Sequence, residues 1–175
     1  MKKIRDIVGV IIIATVVIFI YTFLHEAGHA LVAIHYGETI SEFNFGLKGH
    51  VTFFTSNMSD IDISIMKIAG LIFPLLIMYL TMIIYNKKIT SKIYQLFYSM
   101  FCITTTSSML SLVIVPILFK MYRLTPGDDV VDFLYKSKLE PLYVSWFSLG
   151  VFIFNIILLV KRGIFMNLVK IREGN

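Results

Sequence analysis

The chain has 175 residues, 57% hydrophobic and only 15% charged, and its mean hydropathy is +0.81. A soluble domain keeps roughly a quarter of its residues charged, so this composition excludes water as the principal solvent. The net charge of +5 is modest and clusters beside apolar runs, which suits topology determinants and excludes a nucleic-acid surface.

The first apolar run follows Lys2-Lys3-Ile4-Arg5-Asp6 and covers residues 7–24. It is long enough to cross a hydrocarbon core of ~30 Å. Helix-compatible sequence continues through His25 to about Tyr36, where Gly37 stops it. A signal peptide would have a shorter apolar region, and its nearest small-x-small site, Gly28-His29-Ala30, would be cut within the helix. Residues 39–54 then alternate apolar and polar side chains, are rich in Phe, Val and Thr, and carry Gly46 and Gly49 near the centre. That is a β-hairpin pattern, and an isolated hairpin needs a surface to lie on. A second span covers about 61–85, with Pro74 inside it and Lys87 and Lys88 after it. A third covers about 93–119 and a fourth about 142–160. The expected fold class is therefore an all-α membrane protein of four transmembrane helices, with a small β-hairpin between helices one and two. One domain is the economical reading, with a core at about 7–134 and an additional helix at about 142–160. The lone cysteine, Cys102, allows no intrachain disulfide.

Charge sets the expected orientation. The N-terminus, the 86–92 loop and the C-terminal tail carry Lys2, Lys3, Arg5, Lys87, Lys88, Lys92, Lys161, Arg162, Lys170 and Arg172 against Asp6 and Glu173. The opposite side, with Lys67 counted there, holds more acids than bases. The positive-inside rule puts both termini in the cytoplasm of a cell membrane.

His25-Glu26-Ala27-Gly28-His29 is the informative motif. Residues four apart share one helix face, so both imidazoles can address one ion at ~2.0–2.1 Å. Glu26 can reach a water beside that ion and take its proton without being a ligand. Helix-end histidines snorkelling to the interface would explain each His singly, but not the spacing with Glu. Ionisable residues inside membrane helices are functional sites by default. The small residues Ala27, Gly28 and Ala30 admit a close neighbour, either a packed helix or a substrate segment. Zinc needs a third protein ligand. His35 lies about 80° off the His25 face, and His50 falls in the hairpin. Asp128 and Asp129 remain, after Pro126 and Gly127, which break the third helix and free an extended segment to bend toward the metal. The connectivity returns both acids to the level of the motif.

These residues resemble the site-2 protease family of intramembrane zinc metalloproteases. His25-Glu-Ala-Gly-His-Ala-Leu-Val-Ala33, Gly37 and Ile40-Ser-Glu-Phe-Asn-Phe-Gly46 look like that family's HExxH helix and the β-segment after it. Ala69-Gly70-Leu-Ile-Phe-Pro74 is similar to the small-residue segment opening its next core helix. Pro126-Gly-Asp-Asp129 occupies the place of its Leu-Asp-Gly element. The resemblance implies a three-helix catalytic core, Zn2+ held by His25, His29 and Asp129 (with Asp128 as the alternative), and Glu26 as catalytic base. It also implies hydrolysis of peptide bonds in transmembrane segments of other membrane proteins. The chain departs from the family in having Val130 after Asp129 and Arg123 where an Asn-x-x-Pro element would begin. Family members usually place zinc near the cytosolic face, whereas the charge count puts it near the outer one. Two other functions fit the sequence less fully: a non-catalytic member that binds metal or membrane segments, and a metal carrier, which leaves Glu26 without a role.

The polar run Thr104-Thr-Thr-Ser-Ser108 is expected to bond back to helix carbonyls or across to neighbours. Tyr79, Tyr85, Tyr94, Tyr98, Tyr122, Tyr143 and Trp146 read as interfacial anchors. Lys161, Arg162, Lys170 and Arg172 can also touch anionic lipid headgroups.

Overall fold

The computed structural model describes residues 2–46, 49–54 and 58–165. Leu47 and Lys48 of the hairpin, and Lys170, Arg172 and Glu173 of the tail, lie outside the described residues. Helix α1 spans Lys2–His35, about 51 Å at 1.5 Å per residue. It ends in a Schellman turn, with Gly37 at φ 80°, Glu38 N donating to Ala33 O and Gly37 N to Ile34 O. Strands β1 (Ile40–Asn44) and β2 (His50–Phe53) pair antiparallel, with Phe43 opposite Val51. Phe43 and Phe45 pack edge-on against Phe23 of α1 at 5.8 and 6.0 Å, which supplies the surface the hairpin needs.

Helix α2 (Asp60–Ile84) opens on a capping box between Ser59 and Asp62 and carries Pro74 buried inside it. Helix α3 (Lys92–Tyr122) ends at Arg123, whose φ of 49° places it in the left-handed region. Helix α5 is Pro141–Lys161. Four of the helices are long and apolar enough to cross a membrane, and the small antiparallel pair lies between the first two, as the fold class anticipated.

The region after Pro126 differs from expectation. It does not continue as an extended segment. After six non-helical residues (123–128) a short helix α4 forms at Asp129–Ser137, capped by Asp128 and burying Val130, Val131 and Leu134. Helix α4 packs on α2 and α3, α1 packs on α2 and α3, and α5 lies along α3. The core runs through Leu71, Leu75, Met78, Phe101, Met109, Leu112, Val130, Leu134 and Leu159.

Two helices in lipid gain little from apolar contact alone, because the tails are as apolar as leucine, so close backbone approach matters. A Cβ added at Gly28 would overlap the carbonyl of Ala69 and reach within 3.0 Å of Phe73 Cβ. Gly28 is therefore a packing residue that lets α1 and α2 touch. A Cβ at Gly150 of α5 meets nothing within 4 Å. Gly28→Ala should cost about 1–3 kcal/mol, whereas Gly150→Ala should leave stability unchanged or slightly raised. Thermal unfolding of the detergent-solubilised variants reads the difference. Equal midpoints would deny the close approach.

Candidate metal centre

Three side chains from two distant stretches of sequence meet between α1, α2 and α4. His25 Nε2 lies 3.2 Å from Asp129 Oδ2, His29 Nε2 lies 3.1 Å from the same oxygen, and the two Nε2 atoms are 3.1 Å apart. The helical repeat stacks the two rings, at centroids 4.7 Å apart and nearly perpendicular. His29 is buried, while the side chains of His25 and Asp129 keep 20% and 30% of their surface exposed. The cluster is thus reachable from one side.

The protons are constrained by the partners. His29 Nδ1 is 2.8 Å from the carbonyl oxygen of Met66. A carbonyl can only accept, so Nδ1 carries the proton and a neutral His29 turns a bare lone pair on Nε2 toward the cluster. Ligating histidines are oriented this way by an acceptor on the other ring nitrogen. His25 Nδ1 is buried and has no hydrogen-bond partner among the described residues. Three electron-rich atoms converge, and their repulsion is relieved only by a proton or a cation placed among them. Burial works to raise the Asp129 carboxyl. With a proton between the rings and the carboxylate, the hydrogen bonds that His25 and His29 then donate and the charges of His29 and Lys67 outweigh it, so the carboxyl stays well below the usual carboxylate range.

The donor set fits a metal. Two imidazole nitrogens and one carboxylate oxygen are a zinc set with one position left open. Tetrahedral bonds of 2.0–2.1 Å would put ligand atoms about 3.3–3.4 Å apart, within a few tenths of the observed 3.1–3.2 Å edges. Gly70 of α2 makes room for it. A Cβ there would fall onto His29 Nε2 and come within 2.8 Å of His25 Cε1. Glu26 is buried beside the pair, under Gly49 at the start of the hairpin's second arm. A Cβ on Gly49 would come within 3.0 Å of Glu26 Oε1.

The adjacent acids part ways. Asp128 is the N-cap of α4, and its Oδ1 accepts from Val130 N at 2.9 Å and Val131 N at 3.4 Å. Asp129, one residue on, points at the histidines. His35 packs edge-on against Tyr36 at the end of α1, and His50 pairs with Glu42 across the hairpin. Two residues that the sequence treated only as charges belong to the site. Lys67 Nζ lies 3.1 Å from Asp129 Oδ1 and 2.9 Å from Asp132 Oδ2. An ionisable residue two turns inside an apolar helix was the available signal. Comparison with protein-family models, with curated proteins and with solved structures gives no match.

Replacing the two acids separately tests this division. Asp129→Ala should lower zinc affinity by more than roughly 100-fold, beyond the usual cost of losing an outer partner. Asp128→Ala should retain zinc and lose about 1 kcal/mol of stability with the cap. Equilibrium dialysis and thermal unfolding report the two quantities. The reverse pattern would exchange their roles.

Proposed function

We propose that this protein is an intramembrane zinc metalloprotease of the site-2 protease type, hydrolysing peptide bonds in or near transmembrane segments of other membrane proteins. One observation carries the reading: His25, His29 and Asp129 bring three metal-ligating atoms within 4.8 Å of one another, with a buried Glu26 one residue from the first ligand. Chance clusters of acids are common at surfaces. A carboxylate brought 104 residues along the chain to a His pair on a membrane-length helix is a costly arrangement that packing alone does not require.

A zinc ion held by these three residues would polarise a water and the scissile carbonyl, making a nucleophile available near neutral pH. Glu26 takes a proton from the attacking water as its oxygen adds to the carbonyl carbon. When the C–N bond breaks, Glu26 returns that proton to the leaving nitrogen. Its burial under Gly49 keeps it facing inward. A substrate helix must unwind locally to expose its carbonyl, and the hairpin above the site offers an edge to pair with the extended strand.

Orientation rests on charge. The positive-inside count favours cytoplasmic termini, with the metal end of the bundle toward the opposite face. Ser41→Cys in β1 and Thr90→Cys in the α2–α3 connection lie at opposite ends of the spans, and native Cys102 is buried. An impermeant thiol reagent added outside intact cells should label Ser41→Cys alone. Labelling of Thr90→Cys alone would invert the topology.

A second reading, a non-catalytic protein that binds metal or membrane segments, is favoured by one feature, Arg123 where the family's Asn-x-x-Pro element would begin. Glu26→Gln separates the two. The protease should keep its zinc and lose at least about 100-fold of its cleavage of a co-expressed membrane substrate. Unchanged processing in that variant would leave only the binding function.

A further inference from the structure

We propose that Lys67 is a positioning residue that holds one oxygen of Asp129 so that the carboxylate offers the metal a single donor atom. The inference rests on the metal-centre reading. Asp129 presents Oδ2 to both imidazoles, while Oδ1 is held by Lys67 Nζ at 3.1 Å. The same ammonium reaches Asp132 Oδ2 at 2.9 Å, and Asp132 Oδ1 accepts from Gly127 N at 3.0 Å.

The geometry makes this more than a link between helices. Helix α4 already adheres to its neighbours through buried Val130, Val131 and Leu134, and Lys136 pairs with Asp60 at its far end at 2.8 Å. Asp129 and Asp132 are three residues apart, on one face of α4, where like charges repel. Lys67 compensates both. It also removes the second oxygen of Asp129 from competition for the ion. Zinc and cobalt take four-coordinate geometry when three protein donors contribute one atom each, with the fourth place left for water. A carboxylate free to use both oxygens would fill that place or expand the coordination. Lysine suits the task because its ammonium has three donors and no acceptor, so it can bridge two carboxylates without itself competing as a ligand while charged.

Cobalt(II) is the probe, since four-coordinate cobalt absorbs visible light far more strongly than five- or six-coordinate cobalt. The full chain, purified in detergent, should bind one cobalt with the intense spectrum. Lys67→Met should still bind one cobalt but lose at least about threefold in absorbance as coordination expands. Lys67→Arg should retain most of the wild-type intensity, because a guanidinium can also bridge two carboxylates. If Lys67→Met binds no cobalt, the double variant Lys67→Met/Asp132→Ala decides, because it removes the uncompensated second carboxylate while leaving Asp129 Oδ1 unheld. A spectrum weaker than wild type there supports the role, and one equal to wild type overturns it. A Lys67→Met spectrum equal to wild type overturns it directly. Failure of the wild-type protein to bind cobalt overturns the metal centre itself, a result distinct from failure of the lysine's role.

Discussion

The contact between α1 and α2 is the constraint on which the rest of the site depends. Gly28 lies against the backbone of Ala69, and one residue further along α2, Gly70 leaves the space that the two imidazoles occupy. No side chain intervenes at either point. His29 can then reach the Met66 carbonyl, which fixes its proton on the outer nitrogen and turns the inner one to the cluster. Polar groups removed from water must find partners, and here each answer creates the next demand. The imidazoles call for a carboxylate or a cation, the carboxylate arrives on α4, and its second oxygen is answered by Lys67. A bulkier residue at either glycine would separate the helices before any of this could assemble.

Much of the fold was legible because lipid imposes a coarse code. Long apolar runs read as spans whatever their partners, and the structure places four such helices within a few residues of the sequence boundaries. The His25–His29 spacing was legible because a helix period needs no tertiary information. Helix α4 was not legible. Nine residues are too few to be helical alone, and Pro126-Gly127 ahead of them signals a turn. The segment becomes helical because Asp128 caps it and three apolar side chains are buried against α2 and α3. Those facts live in packing, not in local sequence. The same cap occupies Asp128 and leaves Asp129 beside the histidines, a difference in placement that the sequence did not show. Lys67 was visible only as a charge because its partners lie 62 and 65 positions away.

Polar contacts also attach the last helix. Tyr79 donates to Asn155 at 2.6 Å, Ser145 to the carbonyl of Val113 at 2.7 Å, and Ser99 to that of Ile164 at 3.3 Å. Each links elements that apolar packing alone would hold loosely in lipid, at a typical value of about 0.6 kcal/mol apiece. Two hydroxyls of the run in α3 behave as the sequence suggested, whereas Thr105 Oγ1 is buried with no hydrogen-bond partner among the described residues. Ser108 bonds back to the Thr105 carbonyl at 2.8 Å, and Thr106 reaches the sulfur of Met78 at 3.5 Å. These residues build the bundle and leave the site to α1, α2 and α4.

The departure at Arg123 leaves the cluster of His25, His29 and Asp129 intact. Every contact that fixes Asp129 comes from His25, His29, Lys67 and the turn of α4 in which it sits. The connector before it is held by α4 as well, since Gly127 N donates to Asp132 and the Tyr135 hydroxyl donates to the Leu124 carbonyl at 3.0 Å. Arg123 itself ends α3 in the left-handed region, its N–H donating to the Phe119 carbonyl, a conformation that costs a side chain roughly 1–2 kcal/mol. The carboxylate therefore reaches the histidines without any upstream Asn-Pro device. Both proposed readings, protease and non-catalytic, use the same cluster of His25, His29 and Asp129, and they diverge in whether the hairpin edge holds a strand where Glu26 can act on an attacking water.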